Sequence, residues 1–211
     1  MSAQTETGDK PRRYRNGPRA WIGRLIGDRR GVAAVEFALI VPLLLCMYFV
    51  TMEVSQGIET NKKVSRVASM VADLIAQQQQ IKASEVTAVM QIGEALLQPY
   101  NRSTPTITVT AIEITNDATP VVKVFWSRKL VNGAASQDLP KGTVTTVPPT
   151  LKVPNSFLIK VVSQLEYEPV ITWSSNGKQA LGLTAAFDKI SMAETYYLRP
   201  RMSTQVTCSD C

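Results

Sequence analysis

The fold of this chain depends on one stretch, RRGVAAVEFALIVPLLL, which occupies residues 29–45. The apolar run that it opens extends over residues 31–52 and contains one charged side chain, Glu36. A helix of 22 residues rises about 33 Å, and the hydrocarbon core of a bilayer is roughly 30 Å thick. The pattern therefore predicts a transmembrane helix, in which Pro42 is tolerated because membrane helices accommodate proline.

A secretory signal peptide is the alternative interpretation of this apolar run. Its apolar region would be shorter, about 7–15 residues, and a cleavage site with small residues would follow it. Here large or charged side chains close the run, namely Tyr48, Phe49, Met52 and Glu53. The transmembrane interpretation is therefore preferred.

Basic residues are concentrated before the apolar run. Residues 1–30 carry eight Arg and Lys against three Asp and Glu, which accounts for +5 of the total net charge of +6. Such a tail can bind nucleic acid or anionic lipid. Beside an apolar segment it more often sets the topology, because positively charged flanks stay in the cytoplasm. We therefore expect a cytoplasmic N-terminus and no nucleic-acid partner.

After the apolar run the hydrophobic pattern becomes that of an amphipathic helix. The apolar side chains follow the i, i+3, i+4 spacing, so the first helix is predicted to extend from Val32 to about residue 78; these side chains are Val64, Val67, Ala68, Val71, Leu74 and Ile75. A second helix is predicted to begin with Ser84 as its N-cap and to stop at Pro99. Its predicted apolar face consists of Val86, Val89, Met90, Ile92 and Gly93.

From residue 106 onward the apolar side chains alternate with a period of two, as in half-buried strands. The predicted strands are residues 106–115, with a bulge near Ile112, and residues 121–130, 157–169 and 194–200. The turn sequences NDATP and NG favour antiparallel pairing. Residues 132–156 contain four prolines and are predicted to be a long loop, either functional or mobile. The predicted fold is α+β, a long N-terminal helix packed on an antiparallel sheet of about four strands.

Glu36 lies about five residues into the apolar run, where a charge costs a few kcal/mol at least. One interpretation is that its carboxyl group lies near the interface and snorkels, or stays protonated. The other starts from Gly31, which can present an extended backbone to a protease at the membrane face. Cleavage after Gly31 would create an amine at Val32, and an amine and a carboxylate from neighbouring helices can neutralise each other.

This arrangement resembles the type IV pilin signal, in which a basic leader ends in a glycine at the scissile bond. The matching residues are Gly31, apolar Val32, Glu36 at the fifth mature position and aromatic Phe37 at the sixth. The longer stretch RRGVAAVEFALIVPLLLCMYFVTMEVSQGIE resembles the TadE family, pilin-like proteins of the tight-adherence pilus assembly system. The resemblance covers residues 29 to about 68, and the ending YLRPR…VTC is also similar. A leader of 31 residues is long for a pilin.

The resemblance implies a minor pilin-like subunit of a bacterial inner membrane. A dedicated prepilin peptidase would remove residues 1–31 as a cytoplasmic leader, residues 32–58 would span the membrane, and residues 59–211 would form a periplasmic α+β domain. Glu36 and Phe37 would serve assembly. The implied partners are the prepilin peptidase, other pilin-like subunits and pilus assembly proteins, and the membrane itself.

The residue types argue against an enzyme. The chain has no histidine, which removes the commonest general base, every Ser-His or Cys-His pair and all imidazole metal ligands. It also has no Gly-rich phosphate loop and no nucleophile elbow. Glu166 and Glu168 lie two residues apart, and a solvated strand face explains them. We expect no catalytic activity, no cofactor and no metal.

The terminal sequence CSDC contains two of the three cysteines, Cys208 and Cys211. A redox-active pair needs a helix N-terminus in a βαβ setting, and a zinc site needs four ligands. A structural disulfide in an oxidising periplasm is therefore preferred. Cys46 is interpreted as a plain apolar residue.

One alternative function stays open at this stage. The chain can instead be a periplasmic binding domain on an uncleaved membrane anchor, using the loop at residues 132–156. The mass of the mature protein separates the two readings, because only a pilin-like subunit loses residues 1–31.

Overall fold

A computed structural model of the protein describes residues 31–98, 102–169 and 189–211. In this part of the chain the helices are α1 (Val32–Ala76) and α2 (Ala83–Leu96). The strands are β1 (Gln80–Ile81), β2 (Thr106–Ile114), β3 (Val122–Val131), β4 (Ala134–Gln137), β5 (Ser156–Tyr167), β6 (Ile190–Leu198) and β7 (Thr207–Cys208). The leader before Gly31 and the predicted stop at Pro99 lie outside the described residues.

The first helix has two halves with different surroundings. Its N-terminal half contains an 18-residue window with a mean hydropathy of 2.3, none of which is buried. By length and composition this helix can cross a membrane. Its C-terminal half turns one apolar face inward, where the buried side chains are Thr60, Val64, Val67, Ala68, Val71, Ala72, Ile75 and Ala76. The predicted long helix is confirmed, and it ends two residues earlier than expected.

The chain divides into two compact units between Tyr48 and Phe49. The main hydrophobic core belongs to the second unit, because its buried side chains begin at Val64 and end at Val206. The predicted boundary of the membrane-spanning segment at Ile58 stays a prediction.

Five strands form one antiparallel sheet in the order β4-β3-β2-β5-β6. The register of β2 against β3 shifts between Ala111 and Ile112, which confirms the predicted bulge. On β5 the apolar side chains with the alternating spacing of a half-buried strand belong to the main core; they are Phe157, Ile159, Val161, Leu165 and Tyr167. The α+β fold, a long helix on an antiparallel sheet, is therefore confirmed.

The interpretation of residues 132–156 as a patternless loop is wrong for its first part. Asn132 and Gly133 have positive φ values of 51° and 73°, as a two-residue hairpin turn requires, and β4 then pairs with β3. Further on, Val147 and Leu151 pack against a small apolar cluster on the sheet, which consists of Ile112, Ile114, Val122 and Leu158. This segment therefore supplies a fifth strand and covers apolar side chains of the sheet.

The predicted start of α2 at Ser84 is also wrong. Lys82 occupies the N-cap position, and its backbone N–H donates to the Glu85 carboxylate at 2.8 Å. The next backbone N–H, of Ala83, donates to Asp210 Oδ1 at 2.7 Å. The helix can begin without a Ser, Thr, Asp or Asn at its N-cap because other side chains accept from its first amides. On its predicted apolar face, Val86, Met90 and Gly93 are buried, but Ile92 is 52% exposed.

Candidate processing and assembly site

The predicted scissile bond lies at the start of α1. Gly31 directly precedes Val32, the first residue of the helix, and both residues are exposed. Among the described residues, and apart from Gly31 itself, its chain neighbours and the adjoining helix backbone, no atom lies within 4 Å of the position that a Cβ on Gly31 would occupy. Packing in the described structure therefore does not require glycine here.

The two predicted assembly residues follow in the second turn of the helix. Glu36 is exposed, and Phe37 is 68% exposed. They lie in a run of exposed large apolar side chains that begins at Val32 and continues through Phe49 and Val50. A contiguous apolar surface of this length indicates a site that lipid or another protein covers. Within the described structure, Gly31, Val32, Glu36 and Phe37 thus share one accessible helix terminus.

Further along α1, Glu53 forms a link between the helix and the sheet. The hydroxyl of Tyr167, at the end of β5, donates to Glu53 Oε1 at 2.6 Å. Tyr167 is only 2% exposed, so the hydrogen bond satisfies the polar end of a buried ring. The sequence showed Glu53 only as the charge that closes the apolar run.

The C-terminal segment, residues 199–211, is held against both helices. Arg201 donates its backbone N–H to Ala76 O at the end of α1, at 2.8 Å, and its guanidinium pairs with Asp73 at 2.6 Å. The short strands β1 and β7 pair in parallel. The indole Nε1–H of Trp126 donates to Val206 O at 2.8 Å, and Val206 is fully buried. No sequence pattern indicated these contacts, since they join residues far apart in the chain.

Cys208 and Cys211 form a disulfide bond, as predicted. The bond closes a small loop that contains Asp210, the residue that accepts from the first amide of α2. Cys208, Asp210 and Cys211 are also the one group of Cys, Asp or Glu residues in the described ranges that is close enough to share a metal ion. Their sulfur atoms are consumed by the disulfide, so this group does not offer thiolate ligands.

Glu166 and Glu168 share a salt bridge with Lys189, at 3.3 Å and 3.1 Å. Hydrogen bonds from Lys189 to Glu168 and Glu166 raise the pKa of its ammonium group above the ordinary value. A raised lysine pKa leaves the ion pair intact at neutral pH and weakens it only under strongly alkaline conditions. The arrangement is a surface ion-pair cluster, which agrees with the solvated face predicted for the two carboxylates.

The family model described as "TadE: TadE-like protein" matches residues 31–73. This segment contains all four residues of the candidate processing and assembly site, and most of the amphipathic half of α1. The resemblance predicted from the sequence is thereby confirmed for this segment. No curated protein and no solved structure matches the chain.

Proposed function

We propose that this protein is a pilin-like, TadE-type structural subunit for the assembly of a tight-adherence pilus. The observation that supports the proposal most is that the TadE-like match begins at Gly31, directly before the first residue of a long apolar helix. In this proposal a prepilin peptidase cuts between Gly31 and Val32, and the freed helix then packs among other pilin-like subunits and pilus assembly proteins.

The proposed location is the bacterial inner membrane, with the N-terminus in the cytoplasm and the C-terminal domain in the periplasm. The apolar half of α1 is long enough to span a bilayer, and the +5 charge of residues 1–30 favours their retention in the cytoplasm. The disulfide between Cys208 and Cys211 is consistent with an oxidising compartment for the C-terminal domain.

The proposed working part is the helix terminus, and the protein is proposed to have no catalytic role. Cleavage would leave a positive amine at Val32, one helical turn from the Glu36 carboxylate. In a bundle of such helices, this amine and a neighbouring Glu36 neutralise each other in an environment of low dielectric constant. Loss of one member of a buried pair costs about 3–5 kcal/mol, so assembly should depend on the charge of Glu36.

The test compares Gly31→Leu with Glu36→Gln in the full chain. Gly31→Leu should block leader removal, because a side chain at the scissile bond collides with the peptidase and favours continuous helix. Glu36→Gln should leave much of the cleavage intact but reduce co-purification with other pilus components, because it retains the shape and loses the charge. Mass spectrometry of the mature protein and co-purification are the two measurements.

Two exposed positions on α1 provide matched controls for this test. Ala38→Leu adds a bulky side chain away from the scissile bond, and Glu59→Gln removes an exposed carboxylate from the other half of the helix. Both should be cleaved as the unmodified chain is, and Glu59→Gln should also assemble normally. Normal assembly of Glu36→Gln would contradict the charge-pairing account. A mature protein that retains residues 1–31 would instead support the uncleaved, membrane-anchored binding domain.

The topology is tested separately by a reporter fused after Cys211. A reporter that is active only in the cytoplasm should stay silent, because the charge of residues 1–30 holds the other end of the helix inside the cell. The same reporter fused to a chain that ends before Gly31 should be active. Activity of the full-length fusion would contradict the proposed orientation.

A further inference from the structure

We propose that a groove between α1 and β6 receives membrane lipid, with acyl chain against its apolar walls and a lipid phosphate at Lys62. This inference rests on the proposed membrane insertion of α1. The groove has a volume of about 470 Å³, and the residues that carry the argument are Val54, Gly57, Ile58, Lys62, Tyr167 and Ile190.

The walls of the groove are mostly apolar, although Glu53, Asn61 and Ser191 also line it, and three of its large apolar side chains are exposed among the described residues. Val54 and Ile58 of α1 are 54% and 53% exposed, and Ile190 of β6 is 43% exposed. Leaving these three side chains in water is costly, because full burial of an aliphatic side chain gains roughly 1.5–3 kcal/mol. The exposed faces therefore indicate a surface that is covered when the protein is in its working environment.

The floor of the groove, formed by Gly57 and Tyr167, is compatible with an apolar occupant. Gly57 has no side chain, and a Cβ there would lie 3.9 Å from Tyr167 Cε1. The Tyr167 hydroxyl already donates to Glu53, so its polar end has a partner. The hydroxyl of the nearly buried Tyr167 ring is therefore satisfied within the protein, so an apolar occupant leaves it no unmet hydrogen bond.

One row of side chains on α1 leads from the apolar surface into the groove and ends in a cation. Val50, Val54, Ile58 and Lys62 are spaced four residues apart, so each side chain neighbours the next along the surface of the helix. The first three are exposed and apolar, and the fourth is exposed and positively charged. An apolar row that ends in a lysine is complementary to a phospholipid, because the apolar side chains can contact the acyl chain and the cation can pair with the anionic phosphate.

The depth of this row along α1 fits the membrane boundary. Val54 lies 22 residues after Val32. This separation corresponds to a rise of about 33 Å and matches a hydrocarbon core of roughly 30 Å. Ile58 would then lie at the level of the headgroups, and Lys62 would extend its long side chain back toward the phosphates. A second protein copy would also cover apolar side chains, but the position of the row at the end of the spanning segment and its terminal cation favour lipid.

The test measures lipid contact by fluorescence quenching in the full chain reconstituted at low protein density. Cys46→Ser removes the free cysteine, and single cysteines for a fluorophore are then introduced by Ile58→Cys, Leu44→Cys or Val144→Cys. Lipids with brominated acyl chains quench only probes that touch them. A probe at position 58 should be quenched, but less than a probe at position 44, because Ile58 lies near the headgroups and Leu44 lies within the hydrocarbon core. A probe at position 144, which is 68% exposed, should not be quenched.

The three probe positions separate failure of this inference from failure of the proposed function. Quenching at position 44 with none at position 58 would overturn the lipid groove and leave membrane insertion standing. A probe at position 58 that is shielded from water but not quenched would overturn it as well, since protein would then fill the groove. Absence of quenching at position 44 would contradict membrane insertion itself.

A second measurement tests the lysine. Position 58 should be quenched more by brominated phosphatidylglycerol than by brominated phosphatidylcholine, because one lysine near a membrane surface favours anionic lipid on the order of fivefold. Lys62→Glu should abolish this preference, whereas Lys152→Glu, at another exposed lysine, should retain it. Equal quenching by the two lipids in the unmodified chain would overturn the assignment of the phosphate to Lys62.

Discussion

Gly93 is the residue at which α2 approaches the rest of the core most closely. A Cβ at this position would lie 2.9 Å from Val71 Cγ2, 3.1 Å from Val67 Cγ1 and 3.2 Å from Ile107 Cδ1. Val67 and Val71 belong to α1 and Ile107 belongs to β2, so one missing side chain lets three elements meet. Glycine weakens a helix by roughly 1 kcal/mol relative to alanine, and the close contact explains why it is tolerated here.

Replacing Gly93 with leucine should destabilise the domain. The added side chain has no room between α1 and β2, and overpacking of a filled core costs typically about 1–3 kcal/mol and occasionally more. The measurement is thermal unfolding of the full chain in detergent, followed by circular dichroism.

Ala95→Leu serves as the matched control for this prediction. Ala95 is exposed two residues further along α2, so its replacement introduces the same leucine side chain away from the core. It should change the unfolding temperature little. Equal unfolding temperatures for Gly93→Leu and the unmodified chain would contradict the close approach.

At the scale of an element, the C-terminal segment holds the end of α1 and the start of α2 together through hydrogen bonds to both helices. It bonds to the last carbonyl of α1 through the Arg201 backbone and to the first amide of α2 through Asp210. A ring as small as the one closed by Cys208 and Cys211 removes little chain entropy. Its contribution is therefore better explained by the loop geometry that presents Asp210 to α2.

Asp210→Ala should lower the free energy of unfolding by about 0.5–2 kcal/mol, the usual effect of losing a side chain that caps a helix. Reduction of the disulfide should destabilise the unmodified chain, because the loop that positions Asp210 loosens. The two effects should overlap, so that reduction destabilises Asp210→Ala less than it destabilises the unmodified chain. Chemical denaturation with and without a thiol reductant measures this coupling.

Asp117→Ala provides the control for Asp210→Ala, because Asp117 is exposed in a turn on another part of the domain. Its removal should leave both the stability and the effect of reduction unchanged. Strictly additive effects of reduction and Asp210→Ala would contradict a role of the disulfide in positioning the carboxylate.

At the scale of the whole molecule, the second compact unit contains a complete core. The side chains of this core extend from Val64 to Val206, and the exposed apolar run before Phe49 contributes none of them. Stability and the proposed membrane insertion therefore rest on different parts of the chain. The helix α1 contributes to both parts, since its first half is apolar enough to span a membrane and its second half packs in the core.

A chain that begins at Phe49 should consequently fold without a membrane. Its unfolding temperature should lie within a few degrees of that of the full chain in detergent, because no core contact is removed. Near-ultraviolet circular dichroism and size-exclusion chromatography in aqueous buffer measure the outcome. A shorter chain that begins at Val67 lacks Val64 and the Tyr167 partner Glu53, and it should be clearly less stable. Equal stability of the two chains would contradict this division.

The sequence alone was sufficient for features that depend on local patterns. Side-chain spacing over a few residues was enough to identify three features. They are the apolar run with Gly31 and Glu36, the change from helical to alternating periodicity, and the bulge near Ile112. These patterns predicted the long helix, the antiparallel sheet and the family resemblance. Local spacing is informative here because one helix turn or one strand pair determines which face each side chain occupies.

Only the tertiary structure decided the features that join distant parts of the chain. Ser84 had the residue type of an N-cap, but Asp210 accepts from the first amide of α2 from a position 127 residues away. The strand β4 lies in a proline-containing stretch and could not be predicted from its own residues, because its pairing with β3 depends on the positive φ of Asn132 and Gly133. The groove between α1 and β6 likewise exists only after folding. Contacts between residues remote in sequence leave no periodic signal, because they depend on how the elements pack and not on the spacing within any one of them.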